Sequence, residues 1–376
     1  MQYTEYELGE LLPFEQPTAY IVKSTDYCDA YATPVLTAGK SFILGKTNET
    51  DGIFDQLPVI IFDDFTTATQ FVNFRFKVKS SAMKILHINT DLVIPKYIFY
   101  RLQIIQFDHS THKRYWIQSY SKIKVLIPPL DEQSRIVTRI DELFSELDKA
   151  VDTLKTTKEQ LEVYRQAVLK EIFDSVSTTS VHIKDVCLDI KVGIVIKPTQ
   201  YYVSENGVPA FRNANVRRGY INDTDWVMIS KEGHQQNCRS EVHTNDVLIS
   251  RSGANLGMAS VVPARYNGYN AIDVVIAVPD ISKVIPEFLA QYTNSPMGRA
   301  IVKKNERGAA QGHLNVSAYA NLPIGVPDLQ EQEKLVKQIS DRLSVCDSIE
   351  KTVDTALAQA DAMRQSILKQ AFEGTL

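Results

Sequence analysis

The stretch "IPPLDEQSRIV" at 127–137 returns as "VPDLQEQEKLV" at 326–336, 199 residues later. A chain that carries one instruction twice builds two copies of one plan, so the repeat governs every later assignment. Aligned without a gap, 128–174 and 327–373 are identical at 16 of 47 positions. Among these are Glu132/Glu331, Gln133/Gln332, Asp148/Asp347, Arg165/Arg364, Gln166/Gln365 and Phe173/Phe372. The match reaches back to Tyr120/Tyr319. Weaker echoes join "IPKYI" (94–98) to "IPEFL" (285–289) and "TPVLTAG" (33–39) to "VPAFRNA" (208–214). The order is therefore module (1–127), helix (128–175), module (176–326), helix (327–376).

Both repeated segments carry helical apolar spacing. The first puts Val137, Ile140, Phe144, Leu147, Val151, Leu154 and Leu161 on one stripe, continued by Val168 and Ile172. The second puts Val336, Ile339, Leu343, Val353, Leu357 and Ile367 on another, with Cys346, Ala360 and Ala371. A sustained 3.5-residue period means two helices paired along a seam. Pro128 and Pro327 fix the start of each helix, and Glu132 and Glu331 suit its positive end. Some forty residues give a rod of roughly 60 Å. Parallel rods would bring the modules into collision, so the spacing predicts antiparallel pairing about a two-fold axis. With the ends in register, Lys158 and Glu350, which interrupt the stripes, meet and fix the alignment. The expected fold is α+β: two tandem-repeated α/β modules and an antiparallel coiled coil, pseudo-two-fold symmetric.

A net charge of -4 hides a segregation. The two helical segments are acidic, net -4 for 128–174 and -3 for 327–376, whereas 1–127 is neutral and 175–326 carries +3. Whole-chain charge therefore does not argue against nucleic-acid binding by the modules. The four cysteines lie far apart without a CxxC pair, which points away from a disulfide framework or zinc site. "MQYTEYELGE" lacks the pattern of a secretory signal, and no apolar run approaches the ~20 residues of a membrane span. A reduced cytoplasm without membrane contact is expected.

The modules read as mixed α/β. "LPVIIFDDF" (57–65) and the alternating "FVNFRFKVK" (71–79) suggest strands, and "IPKYIFYRLQIIQF" (94–107) a helix. In the second module "NDVLISRSG" (245–253) and "LGMASVV" (256–262) read as strands, and "IPEFLAQYTNSPMGRAIVKK" (285–304) as a helix with a polar break. "TAGKS" (37–41) resembles the end of a phosphate-binding loop, but Pro34 stands where that loop needs its first glycine. No [DNS]-P-P-[YFW] stretch, Gly-rich nucleotide turn or metal-spaced histidine pair occurs. No catalytic residue, metal site or cofactor is assigned to this chain.

What remains is polar, basic and loop-borne. In the first module the candidates are Lys40, Lys77, Lys79, and His112, Lys113 and Arg114 of "HKRYW". In the second they are Arg212, Asn213, Asn215, Arg217 and Arg218 of "FRNANVRRG", Arg251 of "SRSG", and Lys303, Lys304, Arg307 and Gln311 of "KKNERGAAQGH". Arg and Lys fork onto guanine, Asn and Gln onto adenine, and the remainder onto phosphate. Each cluster alone is an ordinary solvated surface; their conjunction in both repeats is what points to DNA.

The doubled P-x-L-x-E-Q-x-x-[IL]-V opening, in a module–helix–module–helix order, resembles the specificity (S) subunit of type I restriction-modification enzymes over essentially the whole chain. The resemblance implies two target-recognition domains, each reading one half of a split double-stranded DNA site, with the helices as a ruler for the unread gap. It implies a non-catalytic subunit that scaffolds two methylation subunits and the restriction subunits. Those partners carry S-adenosylmethionine and ATP/Mg. "TPVLTAGKSFILG…VIIFDDF" also resembles stretches of some recognition domains, which puts Asp63–Asp64 near DNA; holding a loop is the alternative role. The rival reading is a coiled-coil adaptor for other proteins that never touches DNA.

Overall fold

The computed structural model describes residues 3–37, 41–108, 114–176, 178–300 and 313–376. The repeated segments form two continuous α-helices of 45 residues each, Leu130–Asp174 and Leu329–Glu373. At 1.5 Å per residue each is about 68 Å long. Acidic residues fill the first turns, Asp131 and Glu132 in one and Glu331 in the other, where the helix dipole favours them. The Asp328 carboxylate also accepts the Glu331 N–H at 2.9 Å, an N-terminal cap.

The chain divides into two compact units, Met1–Leu154 with Thr355–Leu376, and Lys155–Asp354. Each unit therefore owns half of each long helix, and in each the two halves run antiparallel. In the first, Arg364 pairs with Asp148, and Ile140 packs with Leu368 and Ala371. In the second, Lys158 meets Asp354 at 2.7 Å, Arg165 meets Asp347 at 2.6 Å and Glu350 at 2.9 Å, and Arg342 meets Glu171 at 3.1 Å. Rising numbers on one helix meet falling numbers on the other. Lys158 and Glu350 do approach, at 3.8 Å, although each has a shorter bond elsewhere.

The first unit builds a sheet in the order Phe14–Glu15, Met83–His87, Val59–Asp63, Thr69–Val72, all antiparallel. A second sheet, Ile43–Thr47, Thr33–Leu36, Lys77–Val78, contains one parallel pair, Thr33–Leu36 with Lys77–Val78. The second unit repeats this plan. Its larger sheet runs Cys187–Val192, Val274–Pro279, Val247–Ser250, Ala259–Val261. Its other sheet again pairs one strand in parallel, Val208–Phe211 with Asn270–Ala271. In each unit a two-stranded ribbon, Thr4–Glu7 with Lys124–Ile127 or Ser180–His182 with Pro323–Gly325, leads into the long helix.

Three expectations need correction. The alternation at 71–79 is not one strand: Thr69–Val72 and Lys77–Val78 lie in different sheets, because the chain leaves the first at Asn73. The helix read over 94–107 is Pro95–Leu102. The helix at 285–304 covers Pro286–Asn294 and breaks at Ser295, whose N–H bonds back to Tyr292; residues 301–304 lie outside the described residues.

The apolar stripes serve two purposes. Ile140, Ile339 and Val353 are buried, and Phe144, Leu147, Val151, Leu154, Leu161, Val336, Leu343, Leu357 and Ile367 are half-buried. At the module ends the stripes join a module core as well. Val137 packs among Tyr97, Trp116 and Val125, and Ile339 among Phe288, Tyr319 and Ile324. Near the second helix's end Leu368 takes the buried place and Ile367 its flank.

The repeated glutamines explain why the opening motif is repeated. Gln133 is fully buried. Its Oε1 accepts the Ile94 N–H at 2.8 Å, and its Nε2 donates to Leu92 O at 3.0 Å and Pro128 O at 2.9 Å. Gln332, also fully buried, accepts from Ile285 N at 2.8 Å and donates to Lys283 O at 2.9 Å and Pro327 O at 2.8 Å. One amide thus ties each long helix to the short helix that opens with Ile-Pro.

Candidate nucleic-acid interface

The loops that leave the parallel strand pairs and the central strands carry the candidate side chains. The two units place them on one backbone frame. In the first unit, Asp64 follows the strand Val59–Asp63, its carbonyl accepts the Tyr115 N–H at 2.9 Å, and its own N–H reaches Ala82 O at 3.3 Å. In the second, Arg251 follows Val247–Ser250, and its carbonyl accepts the Leu314 N–H at 2.8 Å. Asp64 and Arg251 are therefore equivalent positions with opposite charge. Each has recruited its complement: Lys84 lies 3.4 Å from Asp64, and Asp273 lies 2.9 Å from Arg251.

The pairs differ in depth. The Asp64 and Lys84 side chains are 2% and 1% exposed, and Asp64 also accepts the Trp116 N–H at 2.8 Å. Arg251 and Asp273 are 17% and 30% exposed, so the second pair borders solvent. Asp63 accepts from the N–H groups of Phe65 and Thr66, at 2.9 and 3.4 Å, and closes the turn after its strand. Both acids of "FDDF" are thus spent on holding the loop.

Around Arg251 the second unit assembles a polar cluster. Asn213 Oδ1 accepts the Arg251 N–H at 2.8 Å and the Ser250 hydroxyl at 3.0 Å, and its Nδ2 donates to Ser252 Oγ at 2.8 Å. Asn255 donates to Asn213 O at 2.9 Å, and Arg251 Nε to Leu314 O at 3.2 Å. The cluster brings together "FRN", "SRSG" and the aspartate of "AIDVV".

Two assigned readers are corrected by burial. The Lys77 side chain is 2% exposed, with Nζ 3.1 Å from Glu49 and 2.5 Å from Asp51 O; its strand faces the core. Asn215 is fully buried: its Oδ1 accepts Arg212 N at 2.9 Å, and its Nδ2 donates to Thr224 O and Asn222 O at 3.0 and 3.2 Å. Both side chains are buried and bonded within their own unit. Arg212 is half-buried and paired with Asp225 at 2.8 Å, and Arg218 pairs with Glu162 of the first long helix. Lys79 is exposed, over the Tyr27 ring at 5.8 Å, and Arg114 is exposed before the helix Tyr115–Gln118. Arg217 is half-buried, donates to Val216 O at 3.3 Å, and has no ion pair among the described residues. Lys40, His112, Lys113, Lys303, Lys304, Arg307 and Gln311 lie outside the described residues.

The sequence reading missed the acids that organise these cations: Asp225, Asp273 and Glu162. Asp225 and Asp273 both sit at positive φ, 58° and 53°, a strained choice for a non-glycine residue that the turns impose. Among the described residues there is no group of three or more His, Cys, Asp or Glu placed to hold a metal ion, and no helix long and apolar enough to cross a membrane.

Comparison with known proteins agrees with this architecture. Residues 2–163 and 169–359 match the family model described as the type I restriction modification DNA specificity domain. The chain is 45% identical over 174 residues to the type I restriction enzyme EcoR124I/EcoR124II specificity subunit of Escherichia coli, covering 43% of each protein. It is 28% identical over 274 residues to the EcoBI specificity subunit of Escherichia coli, covering 66% of this chain and 58% of that one. The matched stretches thus span under two thirds of the length of these relatives. A chain solved in work on complex assembly and conformational transition of the type I R-M system superimposes with a TM-score of 0.68 at 19% identity. It covers 100% of this chain and 98% of that chain, and its likeness concerns the fold. Matched by the family model over most of its length, the chain belongs to the type I restriction modification DNA specificity family.

Proposed function

We propose that this chain is the sequence-reading, non-catalytic subunit of a type I restriction-modification complex. Each module reads one half of a split duplex site, and the long helices set the unread gap between the halves. Two methylation subunits and the restriction subunits assemble on it in the cytoplasm. S-adenosylmethionine and ATP/Mg belong to those partners. The observation that carries this reading is the family match across both repeats, 2–163 and 169–359. The frame supports it. The two units keep the same strand plan but exchange the loop side chains, as Asp64 and Arg251 illustrate, which suits two readers of different short sequences.

The test is binding to duplex DNA, with the methylation subunit present, as a function of salt. Phosphate contacts release counterions, so log affinity falls steeply with log salt; a flat plot favours the adaptor reading. Arg217 is the candidate for direct base readout, since no described carboxylate occupies it. Arg217→Ala is expected to relax preference at one half-site by about 1–3 kcal/mol and leave the other half intact. Uniform weakening on all sequences would make Arg217 a phosphate contact instead.

A further inference from the structure

The chain leaves the strand Cys187–Val192 in a loop that carries Val195 and Ile196 at its tip, 47% and 80% exposed. Single apolar side chains in solvent are ordinary, and two others, Leu188 and Ile281, lie at the opposite end of the strand pair Cys187–Val192 and Val274–Pro279. The tip differs in how firmly it is mounted. Ile194 is buried with Ala210, Ile229 and Ile272. Its N–H donates to Ala271 O at 2.8 Å, its carbonyl accepts the Asp273 N–H at 3.1 Å, and the Gly193 N–H donates to Val274 O at 2.9 Å. A side chain at Gly193 would strike the Ala271 backbone. On the other flank Lys197 takes φ +44°, a strained left-handed conformation, directly before Pro198, which opens the turn Pro198–Tyr201.

The loop is bonded to the residue that completes the polar cluster. Asp273, whose N–H the Ile194 carbonyl holds, pairs with Arg251, and Lys197 adds an exposed cation next to Ile196 in the chain. The first unit builds the same frame with other side chains. There the Val22 N–H donates to Val78 O at 2.9 Å and the Lys79 N–H to Leu36 O at 2.8 Å. In the second unit Ile194 donates to Ala271 O and Ile272 to Phe211 O, each at 2.8 Å. Val22 thus corresponds to Ile194, and Lys23 and Ser24 correspond to Val195 and Ile196. Glu49 accepts the N–H groups of Lys23 and Ser24, at 2.8 and 2.9 Å, so that tip is fixed as well. A shared mount, polar-tipped in one unit and apolar-tipped in the other, fits two heads that meet different bases. The apolar group that base edges offer in the major groove is the thymine C5-methyl. We propose that Ile196, backed by Val195, packs on a thymine methyl in the half-site read by the second unit. This rests on the DNA-reading function proposed above. Because the tip is already fixed, little ordering cost attends the contact.

The probe is a duplex carrying the site recovered by selection, with each thymine of its fixed blocks replaced in turn by uracil, which lacks only that methyl. Binding by the full chain with its methylation subunit is measured for the wild type, Ile196→Ser and Ile196→Val, each checked by thermal melting. Removing one buried methyl weakens the wild type about fourfold at one thymine. Ile196→Ser weakens the all-thymine duplex by a similar factor, is indifferent to uracil at that position, and leaves the log–log salt slope unchanged. Ile196→Val keeps the preference for thymine. A uracil scan that is the same for the wild type and folded Ile196→Ser overturns the contact and leaves the reading function standing. Poorer recovery of the methylation subunit by Ile196→Ser, with thymine dependence intact, makes the tip a protein contact and overturns it too. A wild-type complex that binds no duplex overturns both readings.

Discussion

Gln133→Ala is expected to destabilise the first unit by about 3 kcal/mol or more, and Gln332→Ala to do the same to the second. Each amide makes three hydrogen bonds to backbone groups at a fully buried position. Alanine leaves one N–H and two carbonyls facing a hole that the surrounding backbone cannot fill. Orphaned buried polar groups cost about 1–3 kcal/mol apiece, and the cavity adds its own penalty. Gln133→Glu offers no rescue, because a carboxylate can accept from Ile94 but faces the carbonyls of Leu92 and Pro128. Urea unfolding measures the loss. A shift under about 1 kcal/mol would mean that the short helix and the long one are joined by their apolar contacts, not by the amide.

The second large effect is expected at the swapped charge pair. Lys84→Met should cost about 3–5 kcal/mol, since it strands the Asp64 carboxylate in a site where both partners are almost wholly buried. Adding Asp64→Asn should recover much of that loss: the uncharged amide keeps an acceptor for the Trp116 N–H, and no buried charge remains. A double-mutant cycle separates the pair from the sum of its parts. Strict additivity would show that Lys84 and Asp64 act independently. At the equivalent place in the second unit, Arg251 and Asp273 border solvent, so breaking that pair should disturb the Asn213 loop more than the global fold.

The repeat made much of this architecture legible from the residues alone. Asp148/Asp347 and Arg165/Arg364 are identical in the two repeats because each arginine meets the aspartate of the other repeat. The 3.5-residue stripes predicted the long helices, and the antiparallel pairing followed from the collision argument. The identity of Gln133 and Gln332 was equally visible, but its cause was not. Their partners lie 39 to 49 residues upstream or at the helix start, and only the folded turn brings those backbone groups together.

The candidate site was less legible. Counting cations in loops found Arg212 and Arg251, but not Asp225 and Asp273, which neutralise them from 13 and 22 residues away. Lys77 misled because an alternating run looks like one half-exposed strand. The break at Asn73 carries Lys77 into a second sheet, where its side chain points inward at Glu49. Asn215 misled for the opposite reason. An asparagine in a basic loop offers the right chemistry for adenine, yet this one is consumed in building the turn that presents Arg217.

Selection from a pool of randomised duplexes, using this chain with its methylation subunit, tests the central claim most directly. Two short fixed blocks separated by an unread gap of constant length are predicted, with Arg217→Ala blurring only one block. A single contiguous block, or no enrichment above the starting pool, would contradict it.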